Sequence, residues 1–362
     1  MLALWDSSRQ REAYAWLTTE LSNLRAAFSW ALDHGDIDVG AAIAVYAGFL
    51  GGWIELHEPS TWAEDLVEAA RGVDHHRLGQ LYVIAAECYR TGRLDDAIEY
   101  ADAAVVTFES DHFDRMLFDI EPTALGGTYI TAGMADRWLA LCRNRFARKP
   151  GMNPFNSGSM VMALMTSGRI DEALASGDDL LAAANAADNP CAAAFALMAY
   201  GYACRDDRPT AAYQALRRGL QIARDSGNRM TESYLAVNLS ALARDQGTPA
   251  DVLDFVTLAI NNFYNSGSYS HMVTPLGVLA SYFDRLGKHE AAATIVGFAA
   301  TTFALAAFPE LNNTIGHLRE VLGDVVYDSL AAAGAEMPNA SVARYALEQI
   351  DIARADLVRG SR

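Results

Sequence analysis

The sequence predicts an all-α protein in which antiparallel helix pairs stack into a solenoid. Good helix formers such as Ala, Leu, Glu and Arg fill long runs, and the 362 residues include only 10 Pro. No stretch shows the sustained alternation of apolar and polar residues that is typical of strands. Short turn motifs also recur along the chain at a nearly constant spacing, which is the signature of a repeat protein.

The clearest turn motif is a Gly and a basic residue, followed by a predicted helix with acidic residues in its first turn. It reads GRLDDA at residues 92–97, GRIDEA at 168–173 and GKHEAA at 287–292. Gly tolerates the left-handed conformation that ends a helix, so each Gly is predicted to close the preceding helix. The acidic residues then fall in the first turn of the next helix, where the helix dipole favours negative charge.

Weaker turns fill the gaps between these motifs. They read GMAD at residues 133–136, DDRP at 206–209 and GTPA at 247–250, and Pro209 and Pro249 suit the first turn of a helix. Successive turns are then 35 to 41 residues apart, with a mean of 39. A strict tetratricopeptide repeat has a period of about 34 residues. We therefore expect a tetratricopeptide-like right-handed superhelix, an α-α solenoid with longer helices or loops.

The pattern divides the chain into three parts. We expect an N-terminal helical cap at 1–72, about six helix pairs at 73–308 and a C-terminal helical cap at 309–362. The predicted helices of the N-terminal cap are 9–34, 37–56 and 59–71. The predicted pairs are 76–90 with 94–109, 115–132 with 134–147, 155–166 with 169–187, 190–204 with 209–226, 229–245 with 249–265, and 270–286 with 288–306. The predicted C-terminal helices are 311–333 and 339–358, joined at Gly334.

One helix carries a stripe of small residues. Ala97, Ala101 and Ala104 recur four and three residues apart, so they share one face of the helix predicted at 94–109. Small side chains allow two helices to approach closely. We expect these three alanines to be buried against the helix that precedes them.

Composition excludes several functional classes. The formal net charge of −17, from 45 acidic and 28 basic residues, argues against direct binding of nucleic acid by this segment. No window of 18 uncharged apolar residues occurs, so no membrane span or membrane partner is expected. The N-terminus lacks the form of a signal peptide. The four cysteines lie in apolar helical runs without a CxxC pair, which predicts buried reduced thiols and a cytoplasmic location.

Two segments resemble a known family. Residues 20–32 read ELSNLRAAFSWAL and are followed by Gly35-Asp36, while LREVLGD at 318–324, GAEM at 334–337 and ARYAL at 343–347 occur near the other end. These segments resemble the tetratricopeptide-like helical region of large bacterial signal-transduction ATPases and LuxR-type transcriptional regulators, some of which carry an adenylate cyclase domain. The resemblance implies that a neighbouring ATPase domain is a partner of this region.

Catalysis and cofactor binding are not expected. The single Gly-Lys pair, Gly287-Lys288, has Tyr282 where a Walker A sequence needs its first Gly and His289 where it needs Ser or Thr. The family's ATP hydrolysis and DNA binding are therefore not carried over to this chain. The His-rich segments 75–76 and 111–114 lack the spacing of a zinc site. We expect no catalytic residue, no metal and no cofactor.

The expected function is binding, of a protein or peptide or of a small effector, by a non-catalytic helical-repeat module that forms the sensor arm of a regulator. A free-standing tetratricopeptide scaffold is the first alternative, and an α-helical enzyme with a carboxylate site is the second. Aligning the turns places these candidate residues on the concave groove of the solenoid: Tyr82, Tyr89, Arg90, Met162, Met165, Arg244 and Arg285. The basic run of Arg143, Arg145, Arg148 and Lys149 either complements a helix dipole or contacts an acidic partner or the surface of a nucleotide-binding domain.

Overall fold

The computed structural model of the chain describes residues 1–148 and 153–360. These described residues are 83% helical and contain no strand, which confirms the all-α prediction. No helix among them combines the length and apolar character needed to cross a membrane.

The helices form two compact units, which we describe separately. The first contains residues 1–203 and 218–231, and the second contains 204–217 together with the chain from 232 onward. Two helices, α13 (Pro209–Ser226) and α14 (Arg229–Gln246), contribute residues to both units. The division into two caps and a central array of repeats stays a prediction.

In the first unit, consecutive helices from α2 to α9 pack on one another, and α12 packs on α9 and α11. Short 3-10 helices cover Ala86–Thr91 and Leu117–Asp119. The helices are α1 (Leu2–Trp5), α2 (Gln10–His34), α3 (Ile37–Trp53), α4 (Glu58–Gly72), α5 (Leu78–Ala85), α6 (Leu94–Thr107), α7 (Glu121–Thr131), α8 (Ala135–Arg148), α9 (Pro154–Thr166), α10 (Ile170–Ala175), α11 (Gly177–Ala186) and α12 (Pro190–Ala203).

In the second unit, α16 packs between α15 and α17, and α17 packs on α20. The last helix, α21, returns to α15. The helices that belong wholly to this unit are α15 (Pro249–Ser266), α16 (Tyr269–Arg285), α17 (His289–Ala299), α18 (Thr302–Ala307), α19 (Glu310–Leu322), α20 (Asp324–Ala335) and α21 (Asn339–Gly360).

The repeat turns have the predicted conformation. Gly92, Gly168 and Gly287 have φ angles of 100°, 73° and 73°, in the left-handed region where a side chain would be strained. The helix that follows each turn carries acidic residues in its first turn, as predicted. Pro249 opens α15 as expected, and Thr248 before it forms a reciprocal capping box with Asp251.

The small-residue stripe on α6 is also confirmed. Ala97, Ala101 and Ala104 are all fully buried. Helix α6 packs on α5 and on the 3-10 turn 86–91, and Ala97 joins Cys88 and Tyr89 in a buried cluster. The absence of long side chains on this face lets the two helices approach closely.

The prediction for the C-terminal helices is wrong at Gly334. The helix is interrupted at Gly323, which has a φ angle of 76° and separates α19 from α20. Gly334 lies inside α20. A Cβ on Gly334 would lie 1.8 Å from the carbonyl oxygen of Thr294 in α17. The glycine is therefore needed for close helix contact and not for a turn.

Three further helices predicted as continuous are also interrupted. The segment 115–132 splits before Glu121, 169–187 splits at Ser176, and 288–306 splits before Thr302. Thr301 caps the restarted helix by accepting a hydrogen bond from the backbone amide of Ala304. The short helix α1 was not predicted.

Aromatic side chains fill the core of the first unit. The Trp5 ring lies 4.7 Å from the rings of Phe49 and Phe118, and 5.9 Å from that of Phe155, between ring centres. The indole nitrogen of Trp5 donates to the hydroxyl of Tyr14 at 3.0 Å. The four cysteines are buried and none forms a disulfide, as the sequence predicts.

Candidate functional site

Three candidate groove residues are buried within the first unit. Tyr82, Tyr89 and Arg90 are 7%, 2% and 4% exposed. The Tyr89 hydroxyl fills the space that a Cβ on Gly127 would need. Arg90 forms an ion pair with Glu87. These three side chains therefore pack inside the chain, and their assignment to a binding groove stays a prediction.

The other four candidates are more accessible. Met162 and Met165 are half-buried on α9 of the first unit. In the second unit, Arg244 lies 3.2 Å and Arg285 lies 3.4 Å from the carboxylate of Asp245. The two arginines thus come together on one acidic residue, and the repeat alignment did not predict this pairing.

The first unit contains a cavity of about 280 Å³, which we call the Arg145 cavity. Apolar side chains form part of its wall, and three arginines, three acids and one asparagine form the rest. The lining residues are Val105, Phe108, Glu109, Arg115, Asp119, Glu121, Pro122, Leu141, Asn144, Arg145 and Arg148. A concave site with apolar walls and a few convergent polar groups is the usual form of a small-molecule site.

The backbone beside this cavity is strained. Phe118 and Asp119 have φ angles of 59° and 56°, which non-glycine residues rarely adopt. The side-chain amides of Asn153 and Asn156 donate to the carbonyl oxygens of Phe118 and Asp119 at 3.3 and 3.0 Å. Together with the packing of Phe118 on Trp5, these bonds hold the segment and direct Asp119 to the cavity. Strained backbone of this kind concentrates at functional sites.

Arg145 organises the charge in the cavity. Its guanidinium lies 3.1 Å from the carboxylate of Asp119 and 3.6 Å from that of Glu121. Glu121 is buried, and its Oε2 has no hydrogen-bond partner. Burial raises the pKa of Glu121, while a hydrogen bond from its own backbone amide and the charge of Arg145 partly oppose this shift.

Two further arginines line the cavity. Arg115 and Arg148 both donate to the carbonyl oxygen of Phe108. The carbonyl oxygen of Arg115 in turn accepts a hydrogen bond of 2.7 Å from the buried side chain of Gln80. These bonds fix the two cationic side chains within the first unit.

The basic run seen in the sequence is thus divided. Arg145 and Arg148 lie in the last turn of α8, where the helix dipole favours cations, and both line the cavity. Arg143 points elsewhere and pairs with Glu172 at 3.3 Å, and Lys149 lies outside the described residues. Asp119 and Glu121 were missed because 115–132 was interpreted as one helix. Pro122 could have indicated the new helix, since proline favours the first turn.

Comparison with known proteins adds no relative: no protein-family model matches the chain, and no curated protein matches it. Functional inference therefore depends on the residues and their geometry.

Proposed function

We propose that this chain is a non-catalytic, tetratricopeptide-like helical-repeat module that binds a small effector in the Arg145 cavity. The observation that carries the proposal is the buried Glu121 carboxyl, which lines the cavity beside Arg145 with one oxygen lacking a hydrogen bond. The same oxygen lies 3.6 Å from the Nε of Arg145, an ion pair that is too long for a hydrogen bond. A ligand that donates a hydrogen bond to Glu121 would supply the missing one.

The lining defines the chemistry of the effector. A hydrogen-bond donor suits Glu121 and Asp119, and an anionic or acceptor group suits Arg145 and Arg148. An apolar portion fits against Val105, Phe108 and Leu141. A cavity of about 280 Å³ is at the small end of ligand sites, so the effector is a metabolite rather than a folded partner.

The wider role that we propose is the sensor arm of a bacterial signal-transduction ATPase or LuxR-type regulator. Support comes from the segments at 20–32 and 318–347 and from the repeat turns at Gly92, Gly168 and Gly287. Binding in the cavity would bias the strained segment 118–119, and the helices would carry that change to a neighbouring ATPase domain. The alternative from the sequence is a free-standing scaffold.

The cavity can be tested with matched arginine variants. Wild-type protein, Arg145→Met and Arg143→Met would be dialysed to equilibrium against a bacterial metabolite extract, and bound compounds identified by mass spectrometry. We expect wild type and Arg143→Met to retain the same compound, and Arg145→Met to bind it at least about tenfold more weakly. The control is suitable because both arginines lie on α8 but only Arg145 lines the cavity.

Equal retention by Arg145→Met, with unchanged helicity, would contradict the effector site. A pull-down with the native ATPase segment then separates the two wider roles. Capture that depends on the effector supports the sensor arm, whereas capture of other proteins irrespective of effector supports the scaffold. We also expect neither ATP hydrolysis nor cyclic AMP synthesis by the purified chain.

A further inference from the structure

The second unit brings together an acidic residue and two histidines from three places in the chain. Asp284 lies near the end of α16, His289 begins α17, and His317 lies in α19. The Nδ1 of His289 lies 3.0 Å from Oδ1 of Asp284, and the Nδ1 of His317 lies 2.9 Å from both carboxylate oxygens. One oxygen and two nitrogens therefore converge, all within 4.8 Å of one another.

We propose that Asp284, His289 and His317 form a binding site for a divalent transition-metal ion, with Zn²⁺ as the preferred ion. Two imidazoles and one carboxylate are among the common ligands of zinc, at bond lengths of about 2.0–2.2 Å. Ligand atoms around such a tetrahedral ion are about 3.3 Å apart. The observed separations of 2.9–3.0 Å between the carboxylate and the imidazoles need to open by only a few tenths of an ångström.

The surroundings favour such a site. The side chain of Asp284 is 10% exposed, that of His289 is 26% exposed and that of His317 is 50% exposed. The carboxylate is thus fixed inside the protein, while the most exposed imidazole can turn to complete the site. Exposure on the His317 side leaves room for water as a further ligand, as in zinc sites with an open position.

The turn between α16 and α17 fixes two of the ligands. Gly287 has a φ angle of 73°, which reverses the chain within four residues and places His289 directly against Asp284. The same turn contributes to the repeat pattern. No local pattern in the sequence reveals the site, because His317 lies 28 residues further along the chain from His289.

Another Asp–His–His group in the first unit is a weaker candidate. The Nε2 of His75 and His76 lie 2.9 and 3.9 Å from Asp38. The Asp38 side chain is 82% exposed, so it is not held in place. His76 already pairs with Asp114 through its Nδ1 at 2.8 Å. This group therefore serves as an internal control for the proposed site.

The test is a calorimetric titration of the untagged full chain with Zn²⁺, in buffer that contains excess Mg²⁺. Magnesium prefers oxygen ligands, so it should occupy exposed acidic groups without competing at two imidazoles. We expect one zinc equivalent to bind, and the melting temperature to rise with zinc concentration. Co²⁺ should occupy the same site and give visible absorption bands that disappear when Zn²⁺ is added.

Variants identify the ligands. His317→Ala changes a half-exposed residue, so the variant should fold, and Asp284→Asn keeps the shape of the buried side chain. Each should weaken zinc binding by at least about tenfold, whereas the control His76→Ala should bind as wild type does. The proposal is overturned if wild type binds no zinc, if His317→Ala binds as tightly as wild type, or if only His76→Ala loses binding.

Discussion

One close helix contact in each unit is made in a different way. In the first unit, α6 presents Ala97, Ala101 and Ala104 to its neighbours, so the side chains themselves set the spacing between helices. In the second unit, α17 and α20 pack so closely that their main-chain atoms are in contact. A Cβ on Gly297 would lie 1.9 Å from the carbonyl oxygen of Ala331, and one on Gly334 would lie 1.8 Å from that of Thr294.

This difference determines how large a side chain each contact tolerates. An alanine contact has some freedom because a larger side chain can displace other side chains. A contact made by two reciprocal glycines has little freedom to accommodate a larger side chain, because the atoms that block a new Cβ belong to the main chain and cannot change rotamer. The α17–α20 contact should therefore be the more sensitive to a single added methyl group.

The largest effect is expected for Gly334→Ala. The new Cβ would overlap the Thr294 carbonyl, so α17 and α20 must separate along their contact. We expect a loss of about 3 kcal/mol or more in the free energy of unfolding, measured by chemical denaturation. A loss below about 1 kcal/mol would show that the two helices can move apart easily, and the contrast between the units would fail.

A smaller loss is expected for Ala101→Leu in the first unit. Three extra carbon atoms overpack the buried contact between α6 and the helix that precedes it, at a cost of about 1–3 kcal/mol. Ala103→Leu, on a half-buried position of the same helix, is the matched control and should cost less. An unchanged melting temperature for Ala101→Leu would refute the packing assigned to this face.

Glu121 tests the electrostatics of the first unit. Burial raises the pKa of Glu121 in the folded state above its value in the unfolded chain. Protonated Glu121 therefore contributes its full stability below the unfolded pKa. That stability is lost as the pH rises through the folded pKa. Glu121→Gln keeps this position neutral at every pH. We expect it to gain on the order of 1 kcal/mol at pH 7 and nothing near pH 4.

Denaturation curves at both pH values check this prediction. Glu109→Gln, an exposed residue of the same cavity, is the control and should show no such difference. A loss of stability at neutral pH on Glu121→Gln would show that the ion pair with Arg145 outweighs the cost of burial.

The smallest effect is expected for Gly316→Ala in α19. A Cβ there would meet no heavy atom within 4 Å, so the substitution removes only the excess freedom of glycine in the unfolded chain. We expect a gain of about 0.5–1 kcal/mol. Melting temperatures of Gly316→Ala and Gly334→Ala compare the same chemical change at two positions of the second unit. The first position has space for a Cβ, and the second does not. Destabilisation by Gly316→Ala would break that comparison.

Much of the fold was predictable because its signals are local. A Gly at a helix end, acids in the following turn and an alanine stripe each act within one or two helical turns. Gly92, Gly168 and Gly287 therefore have the conformation that the sequence predicts. Gly334 was misinterpreted because the same residue type serves both a turn and a close contact, and the partner that distinguishes them, Thr294, lies 40 residues earlier.

The candidate sites were less predictable, for the same reason. Arg145 and Arg148 are visible in the sequence as a basic run. The carboxylates that face Arg145 come from residues 118–121, where the predicted helix is interrupted. Tyr89 and Arg90 looked like groove residues because their spacing from Gly92 fits a repeat. Tyr89 is buried where Gly127 leaves room for its hydroxyl, a contact that no local pattern encodes, and Arg90 is buried in an ion pair with Glu87.

Trp138 gives this protein a built-in optical reporter. Its indole nitrogen donates to the carbonyl oxygen of Pro122 at 2.7 Å, and Pro122 is part of the cavity wall. The ring itself is 2% exposed and lies against Gly126. Fluorescence from this indole is therefore shielded from solvent quenchers yet hydrogen-bonded to the cavity wall. Filling the cavity should shift the part of the emission that Trp138 contributes among the six tryptophans of the chain, without any attached dye.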